Sequence, residues 1–297
     1  MNFIKRIRRN PARPVGVDTV TVVEFSLTDD ARVKLERALE PYVSGKETDL
    51  SKLGNIFLNK DNFPAPILEE LKNLSEEGKA ASTVYVVKNL PELKTKDILN
   101  LSPSDCTLST YANFIALGIG QAIKMERVGG SHYLERLPKA EIQGQHLHKH
   151  RQFLSALSGL YLRKNKGFQP ATRFTNIRTL LQDPIFPQVH NNSVSLVRLP
   201  GKGERIRNER DFLKQVMEPE CPQEIELWID GNHPQLNKLV ASHSKEVVVG
   251  PGDLVMWSNY GDIHHQALPA KATPYDPNIV TRMVLAHLFE KKSTAAI

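Results

Sequence analysis

The sequence predicts an α+β protein built around a mostly antiparallel sheet. Helical patterns cluster in the early part of the chain and strand-like runs in the later part, an arrangement typical of that class. The chain has 297 residues, of which 40% are hydrophobic, so it is long enough and apolar enough to bury a sizeable core. No internal repeat or low-complexity segment interrupts this plan. We expect a basic tail over residues 1–14 and a single domain over 15–297.

Strand and helix signals alternate in the first part of the chain. β-branched runs at 20–25 and 81–87 predict strands, the second of them central in its sheet. A Thr-Asp-Asp sequence caps a helix over about 31–42, and a second helix, over 64–77, has a proline near its first turn. The segment 49–58 is ambiguous between helix and strand.

The later part of the chain is richer in strands. A helix over about 108–117 is expected to end at Gly118 and Gly120, because glycine favours helix C-termini. The other elements follow from their periodicity, with strands at 156–162, 193–199 and 224–230 and helices within 204–217 and over 232–241.

A glycine-rich turn near the C-terminus is the most informative local feature. The sequence Pro-Gly-Asp at 251–253 predicts a turn that leads into an apolar strand over 254–257. A loop then delivers His264, and a second strand-like run opens with Arg282. A buried strand has little use for either side chain, so their placement predicts a functional site at one end of a sheet.

Three histidines in the middle of the chain form the second chemical signal. His146, His148 and His150 occupy alternate positions, and they project to one face if the segment is extended. Neutral imidazole ligates iron, zinc, copper and nickel, so His146 and His148 can both reach one metal ion. A histidine-rich exposed loop without metal is the alternative interpretation.

The net charge of +6 raises the question of a nucleic-acid partner. Much of the excess lies in the tail, and a solvated tail accounts for it; its basic residues are Lys5, Arg6, Arg8, Arg9 and Arg13. No basic stripe interleaved with aromatic residues occurs elsewhere, so we do not expect nucleic-acid binding.

Cysteine content and hydropathy predict the compartment. Cys106 and Cys221 lie far apart and form no CxxC motif, which favours a reducing compartment. No apolar run reaches the roughly 18–20 residues needed to span a bilayer. The basic N-terminus lacks the apolar core of a secretory signal. We therefore expect a cytoplasmic protein without a membrane partner.

These segments together resemble the iron(II)- and 2-oxoglutarate-dependent oxygenases of the taurine dioxygenase and clavaminate synthase type. The segment 252–264 resembles the Gly-Asp segment that carries the distal metal histidine of that family. The segments 117–130, 171–175 and 180–186 resemble the approach to the metal motif, the Ala-Thr segment and the helix followed by Pro-x-Phe. The similarity is colinear over 117–289, whereas the first hundred residues add only a general likeness.

The resemblance implies a fold, a reaction and a site. The fold would be a jelly roll, or double-stranded β-helix, with flanking helices over residues 15–297. The cofactor would be Fe(II), with 2-oxoglutarate and O2 as cosubstrates, and the reaction would hydroxylate, desaturate or cyclise an amino acid or an amino-acid-derived small molecule. His146 and His264 match the metal histidines. Arg282, whose guanidinium can fork onto a carboxylate, and Thr172 match the residues that bind 2-oxoglutarate.

One position departs from the family pattern. Where the family has an Asp or Glu ligand, this chain has His148. Three outcomes are open: a three-histidine iron centre, which we favour, a carboxylate recruited from Glu141 or Asp262, or a non-catalytic protein that uses the fold to bind a ligand or partner. A three-histidine metalloenzyme that does not use 2-oxoglutarate is a further alternative. His150 and His265 neighbour the site and are expected to contact a ligand residue or solvent.

Overall fold

Two β-sheets and a layer of helices make up the described part of the chain. The computed structural model describes residues 20–76, 79–92, 110–136, 145–149, 152–163, 170–186, 194–199, 204–205, 224–229, 234–261, 263–268 and 280–292. The predicted basic tail, both cysteines, His150, Glu141 and Asp262 lie outside these residues.

The helices of the described ranges concentrate in the first half of the chain, as predicted. They are α1 (Asp29–Val43), α2 (Leu53–Leu58), α3 (Ala65–Lys72), α4 (Tyr111–Ala122), α5 (Ile177–Gln182) and α6 (Pro234–Ser242), with 3₁₀ turns at Leu50–Lys52 and Asn73–Ser75. The predicted cap of α1 is confirmed, because the Thr28 hydroxyl accepts a hydrogen bond from the amide of Ala31. None of these helices is both long and apolar enough to cross a membrane.

The strands form two sheets with antiparallel pairing throughout, except that β1 and β2 run parallel. The order of the first sheet is β1-β2-β11-β5-β13-β3, and that of the second is β10-β6-β12-β4-β9-β7-β8. The mostly antiparallel architecture is therefore confirmed. The strands are β1 (Thr21–Ser26), β2 (Thr83–Lys88), β3 (Met125–Arg136), β4 (Gln145–Lys149), β5 (Leu154–Leu162), β6 (Ala171–Asn176), β7 (Val194–Leu199), β8 (Glu204–Arg205), β9 (Glu224–Ile229), β10 (Ser244–Val247), β11 (Leu254–Ser258), β12 (Ile263–Leu268) and β13 (Val280–Lys291).

The first sheet is buried on both faces, which β11 illustrates. Leu254 and Met256 belong to the core that this sheet shares with helices α1 to α4. Val255 and Trp257 point the other way, into the core between the two sheets. There Trp257 meets Phe174 of β6 edge to face, with ring centroids 5.0 Å apart. The two sheets thus pack face to face, and their shared interior is the space in which a site can be enclosed.

Two predictions about local structure are wrong, and each has a physical reason. Helix α4 does not end at Gly118 and Gly120 but continues to residue 122. A β-carbon at Gly118 would lie 2.2 Å from the Phe57 ring, and one at Gly120 would lie 2.5 Å from the Phe289 ring. These glycines therefore permit close packing within the helix. His264 lies in strand β12 and not in a loop.

Other differences concern elements that periodicity did not resolve. The ambiguous segment 49–58 contains a 3₁₀ turn and helix α2. Strands β3, β6, β10 and β12 were not anticipated. The helix expected within 204–217 lies largely outside the described residues, and its first two positions belong to strand β8, which pairs with β7.

Candidate functional site

A buried arginine lies in the interior between the two sheets. Arg282 is 1% exposed although its guanidinium keeps its charge at any physiological pH. Val284, two residues later on β13, belongs to the core between the sheets, whereas Met283 and Leu285 form a separate cluster on the other face. Alternation along the strand therefore assigns Arg282 to the interior face.

Thr172 of strand β6, in the opposite sheet, is a hydrogen-bond partner of this arginine. Arg282 Nη1 donates a hydrogen bond to Thr172 Oγ1 over 3.3 Å, and Thr172 is also 1% exposed. Phe174, two residues along β6, packs in the same interior. Arg173, between them, faces outward, where it forms an ion pair with Glu246 at 2.8 Å. The interior thus holds a guanidinium fork beside a hydroxyl, a combination suited to a carboxylate.

The backbone register connects this interior face to the histidines. In the antiparallel pairing of β12 with β6, His265 lies opposite Phe174 and His264 lies opposite Thr175. In the pairing of β12 with β4, His265 lies opposite His148. Directly opposed residues share one face of an antiparallel sheet. His265 and His148 are therefore on the face of Phe174.

Strand β4 contributes a second histidine position to that face. His146 is two residues from His148, so it occupies the same face of an extended segment. The predicted extended conformation of this segment is confirmed. His264 falls on the other face, together with Thr175, whose hydroxyl meets that of Ser244 at 2.7 Å.

Strand β9 adds an acidic position that the sequence analysis passed over. Glu226 lies opposite His148 and Trp228 lies opposite His146 in the pairing of β9 with β4. One signal was available in the sequence, where Glu224 and Glu226 alternate with Ile225 and Leu227. What the sequence alone did not reveal is which strand lies beside β9.

The structure thus brings some of the predicted site residues together. Arg282 and Thr172 are in contact, and His146 and His148 share their face of the second sheet. His264 lies on the opposite face of its strand. Among the residues whose side chains are described, no three His, Cys, Asp or Glu groups lie close enough to hold a metal ion.

The predicted Pro-Gly-Asp turn precedes strand β11 and positions it. The turn needs the positive φ of 72° that Gly252 adopts, and the Asp253 carboxylate accepts a hydrogen bond from the amide of Gly250 at 2.9 Å. Burial raises the pKa of Asp253 to about 6, while the bond from Gly250 opposes this shift. The Asp253 carbonyl in turn accepts a bond from the amide of Gly159, which joins the turn to β5.

A second buried polar cluster lies on the opposite face of the first sheet, beneath helix α4. His287 of β13 is 0% exposed, and its Nε2 lies 3.2 Å from the Ser158 hydroxyl. Burial lowers the pKa of His287 to about 3, and the nearby charge of Arg127 acts in the same direction. This histidine is therefore neutral at pH 7.

Comparison with known proteins identifies the fold. No protein-family model and no curated protein sequence matches the chain. An asparagine oxygenase in complex with Fe(II), 2S,3S-3-hydroxyasparagine and succinate superposes with a TM-score of 0.56 at 12% identity, over 91% of this chain and 93% of that one. The non-heme iron oxygenase OrfP in complex with Fe and L-homoarginine gives 0.52 at 13% identity, over 91% and 94%. The chain therefore has the fold of these non-heme iron oxygenases, which confirms the fold-level resemblance found in its sequence.

Proposed function

We propose that the chain is an Fe(II)- and 2-oxoglutarate-dependent oxygenase that hydroxylates an amino acid or an amino-acid-derived small molecule, with desaturation and cyclisation as variants. The observation that carries this proposal is the contact between Arg282 and Thr172 in the interior between the sheets. The same interior face carries the histidine positions of β4.

A jelly-roll core is the finer description of the fold that we propose. Four strands of the first sheet, in the order β11-β5-β13-β3, face four strands of the second, in the order β10-β6-β12-β4. Two four-stranded antiparallel sheets in this arrangement are the framework of a jelly roll. Strands β1 and β2 would extend the first sheet, and β7 to β9 would extend the second.

Arg282 is the residue that we assign to 2-oxoglutarate. Removing a guanidinium from water costs several kcal/mol, and the attraction of a carboxylate offsets much of that cost. One carboxylate of 2-oxoglutarate would accept the guanidinium fork, and Thr172 would donate a further hydrogen bond to it. Succinate, present in the asparagine oxygenase structure, is a dicarboxylate of the same kind.

Iron would be held by histidines of β4 and β12. The resemblance assigns His146, His148 and His264, whereas the register offers His265 on the face of His148. Imidazole suits Fe(II), so the donors present on this face fit the metal. Bound iron would supply the oxidising chemistry, and the protein would supply the anchored cosubstrate and an interior shielded from water.

An amino-acid-like substrate is the class that the neighbours favour. The asparagine oxygenase structure contains hydroxyasparagine, and structures of OrfP contain L-homoarginine or L-Arg. A substrate screen with the metal-loaded protein would show which amino-acid side chain the site accepts.

The test of this function is the binding of 2-oxoglutarate in the absence of oxygen. Fe(II) and 2-oxoglutarate together should give the weak visible charge-transfer band of the chelate. Arg282→Lys keeps the charge but loses the fork, so the apparent affinity should fall by about 1–3 kcal/mol. Arg173→Lys, on the outward face of β6, is the matched control and should leave the affinity unchanged. If the metal-loaded wild-type protein gives no band and binds no 2-oxoglutarate, the assignment is wrong.

A further inference from the structure

A cavity lies on the helix-covered face of the first sheet, away from the interior between the two sheets. It is bounded by the residues that follow β2, the first turn of α4, strand β5 and the turn before β11. Its empty space is about 370 Å³, part of it open to solvent. Leu254, in its wall, belongs to the core shared with the helices. The first sheet therefore separates this cavity from Arg282 and Thr172.

The inner walls of the cavity are apolar and close together. Four buried aliphatic side chains line them, namely Leu90, Ile115, Leu160 and Leu254. On the floor, the Ser158 hydroxyl lies only 3.5 Å from the Ala112 carbonyl, so α4 and β5 nearly meet there. A ligand that enters between these walls must be apolar along its length and slender.

Two carboxylates stand at one side of the same cavity. Asp253 and Glu92 both line it. A β-carbon added to Gly252 would lie 3.7 Å from Glu92 Oε2, so the Glu92 carboxylate lies against the turn that carries Asp253. Within the part of the chain that the structure describes, neither carboxylate forms an ion pair with a basic side chain.

The charges around these carboxylates leave the cavity negative. The Lys88 ammonium lies 3.2 Å from Glu24, and Arg32 forms its ion pairs with acidic residues of helix α1. Burial raises the pKa of Asp253 to about 6, and the negative charges of Glu24 and Glu92 act in the same direction, whereas Lys88 opposes them. Burial also raises the pKa of Glu92, and Arg32 opposes this. Both carboxylates would therefore gain from a cation placed beside them.

We propose that this cavity binds an aliphatic primary amine, with its ammonium group at Asp253 and Glu92 and its unbranched carbon chain between the apolar walls. An ammonium group has three N–H donors, so it can reach both carboxylates through charge-assisted hydrogen bonds. The two negative charges disfavour an anion at the same place. The site lies outside the interior assigned to 2-oxoglutarate, so this inference goes beyond the proposed function and does not depend on it.

The test is a titration of the full chain with n-butylammonium at pH 8, followed by the NMR signals of the Gly159 and Gly252 amides, both in the cavity wall. Butan-1-ol has the same carbon chain without the charge and should bind at least about tenfold more weakly. Tetramethylammonium carries the charge but has no N–H donor and is wider, so it should leave both signals in place.

Four variants locate the binding. Asp253→Asn keeps an acceptor for the Gly250 amide but removes the charge, and it should weaken n-butylammonium binding by at least about tenfold. Glu92→Gln, at the exposed side of the cavity, should weaken it by about threefold. Ala112→Met fills the cavity and should abolish binding. The matched control is Glu69→Gln, an exposed carboxylate of α3 outside the cavity, which should change the affinity by no more than about twofold.

The dependence on pH gives an independent measurement. Below about pH 6 Asp253 is largely protonated in the folded protein, and a neutral carboxyl attracts an ammonium group less strongly. The affinity for n-butylammonium should therefore fall by about fivefold to tenfold between pH 8 and pH 5. Unchanged affinity over this range would overturn the role of Asp253.

Two other results would overturn the site itself. Equal shifts with n-butylammonium and tetramethylammonium would show a general attraction of cations to the surface. Binding that persists in Ala112→Met, with circular dichroism showing an intact fold, would place the amine elsewhere. The binding of 2-oxoglutarate is measured separately, so either result leaves the proposed oxygenase function in place.

Discussion

Strand β13 buries one basic residue on each face of the first sheet, and the two are handled differently. Arg282 enters the interior between the sheets, where it is 1% exposed and donates to Thr172. His287 enters the layer beneath helix α4, where it is 0% exposed and meets Ser158. Both side chains are almost fully buried, so the difference in how their charge is accommodated comes from the chemistry of the two side chains.

A buried histidine can avoid the cost of a buried charge by losing its proton, whereas an arginine side chain does not lose its proton in proteins. Burial lowers the pKa of His287 to about 3, so a neutral imidazole fills its site and His287 itself adds no buried charge. The guanidinium of Arg282 stays charged. A buried guanidinium is suited to bind a carboxylate, whereas a neutral imidazole beside a serine hydroxyl is suited to packing.

The largest effect that sharpens this comparison is the acid sensitivity caused by His287. Its pKa is lower in the folded protein than in the unfolded chain, so the unfolded state binds the proton more tightly below about pH 6.5. The contribution of His287 to the free energy of unfolding should therefore be fully present above that pH. It should fall by about 3 kcal/mol as the pH decreases from about 6.5 to 4. Denaturant titrations at several pH values, on wild type and His287→Gln, measure this contribution as the difference in slope.

Asp253 makes the comparison with the variant necessary. Its pKa is raised to about 6 by burial, so in the folded protein it holds its proton more tightly than in the unfolded chain. This contribution to stability is present at low pH and is lost as the pH rises through about 6, opposite in sign to that of His287. Equal pH slopes for wild type and His287→Gln would show that the imidazole becomes protonated without unfolding the protein.

The sequence pointed to some of the buried polar residues and missed others, and the difference has a physical reason. Arg282 was singled out as a candidate because a charged residue at the start of an apolar strand is conspicuous, and Thr172 was singled out through a resemblance in sequence. His287 was missed, because its neighbours in sequence are ordinary core residues and its partner Ser158 comes from another strand. The register that places His265 opposite His148, and His148 opposite Glu226, depends on which strands are adjacent. Strand adjacency is a long-range property that local periodicity does not contain.

The limits of local rules are also visible in the helices and strands. Thr28 capped its helix as predicted, since capping is a local interaction. Gly118 was assigned to a helix end, but its lack of a side chain serves contact with Phe57 of another helix. Tertiary packing decided the position where the local rule failed.

Smaller effects are expected from removing the hydroxyls of Ser158, beside His287, and Thr172, beside Arg282. Ser158→Ala removes the partner of His287 Nε2, and Nδ1 already has no hydrogen-bond partner within the described part of the chain. The free energy of unfolding should fall by about 1–2 kcal/mol, with the affinity for 2-oxoglutarate unchanged. Thr172→Val should instead weaken 2-oxoglutarate binding by about threefold to tenfold. Anaerobic titrations of both variants measure this, and a loss of 2-oxoglutarate affinity in Ser158→Ala would break the division between structural and binding groups.

The smallest effect is expected at the arginine that faces outward. Arg173 neighbours Thr172 in sequence, but it points to the other face of β6 and forms an ion pair with Glu246; the side chains of Arg173 and Glu246 are 12% and 49% exposed. Solvent screening reduces such pairs to about 0.2–1 kcal/mol. Arg173→Ala should therefore lower the free energy of unfolding by about 0.5 kcal/mol, and the loss should shrink in high salt, as denaturant titrations at two salt concentrations would measure. A loss that persists in high salt would mean that the aliphatic part of Arg173 packs against the sheet and that its charge contributes little.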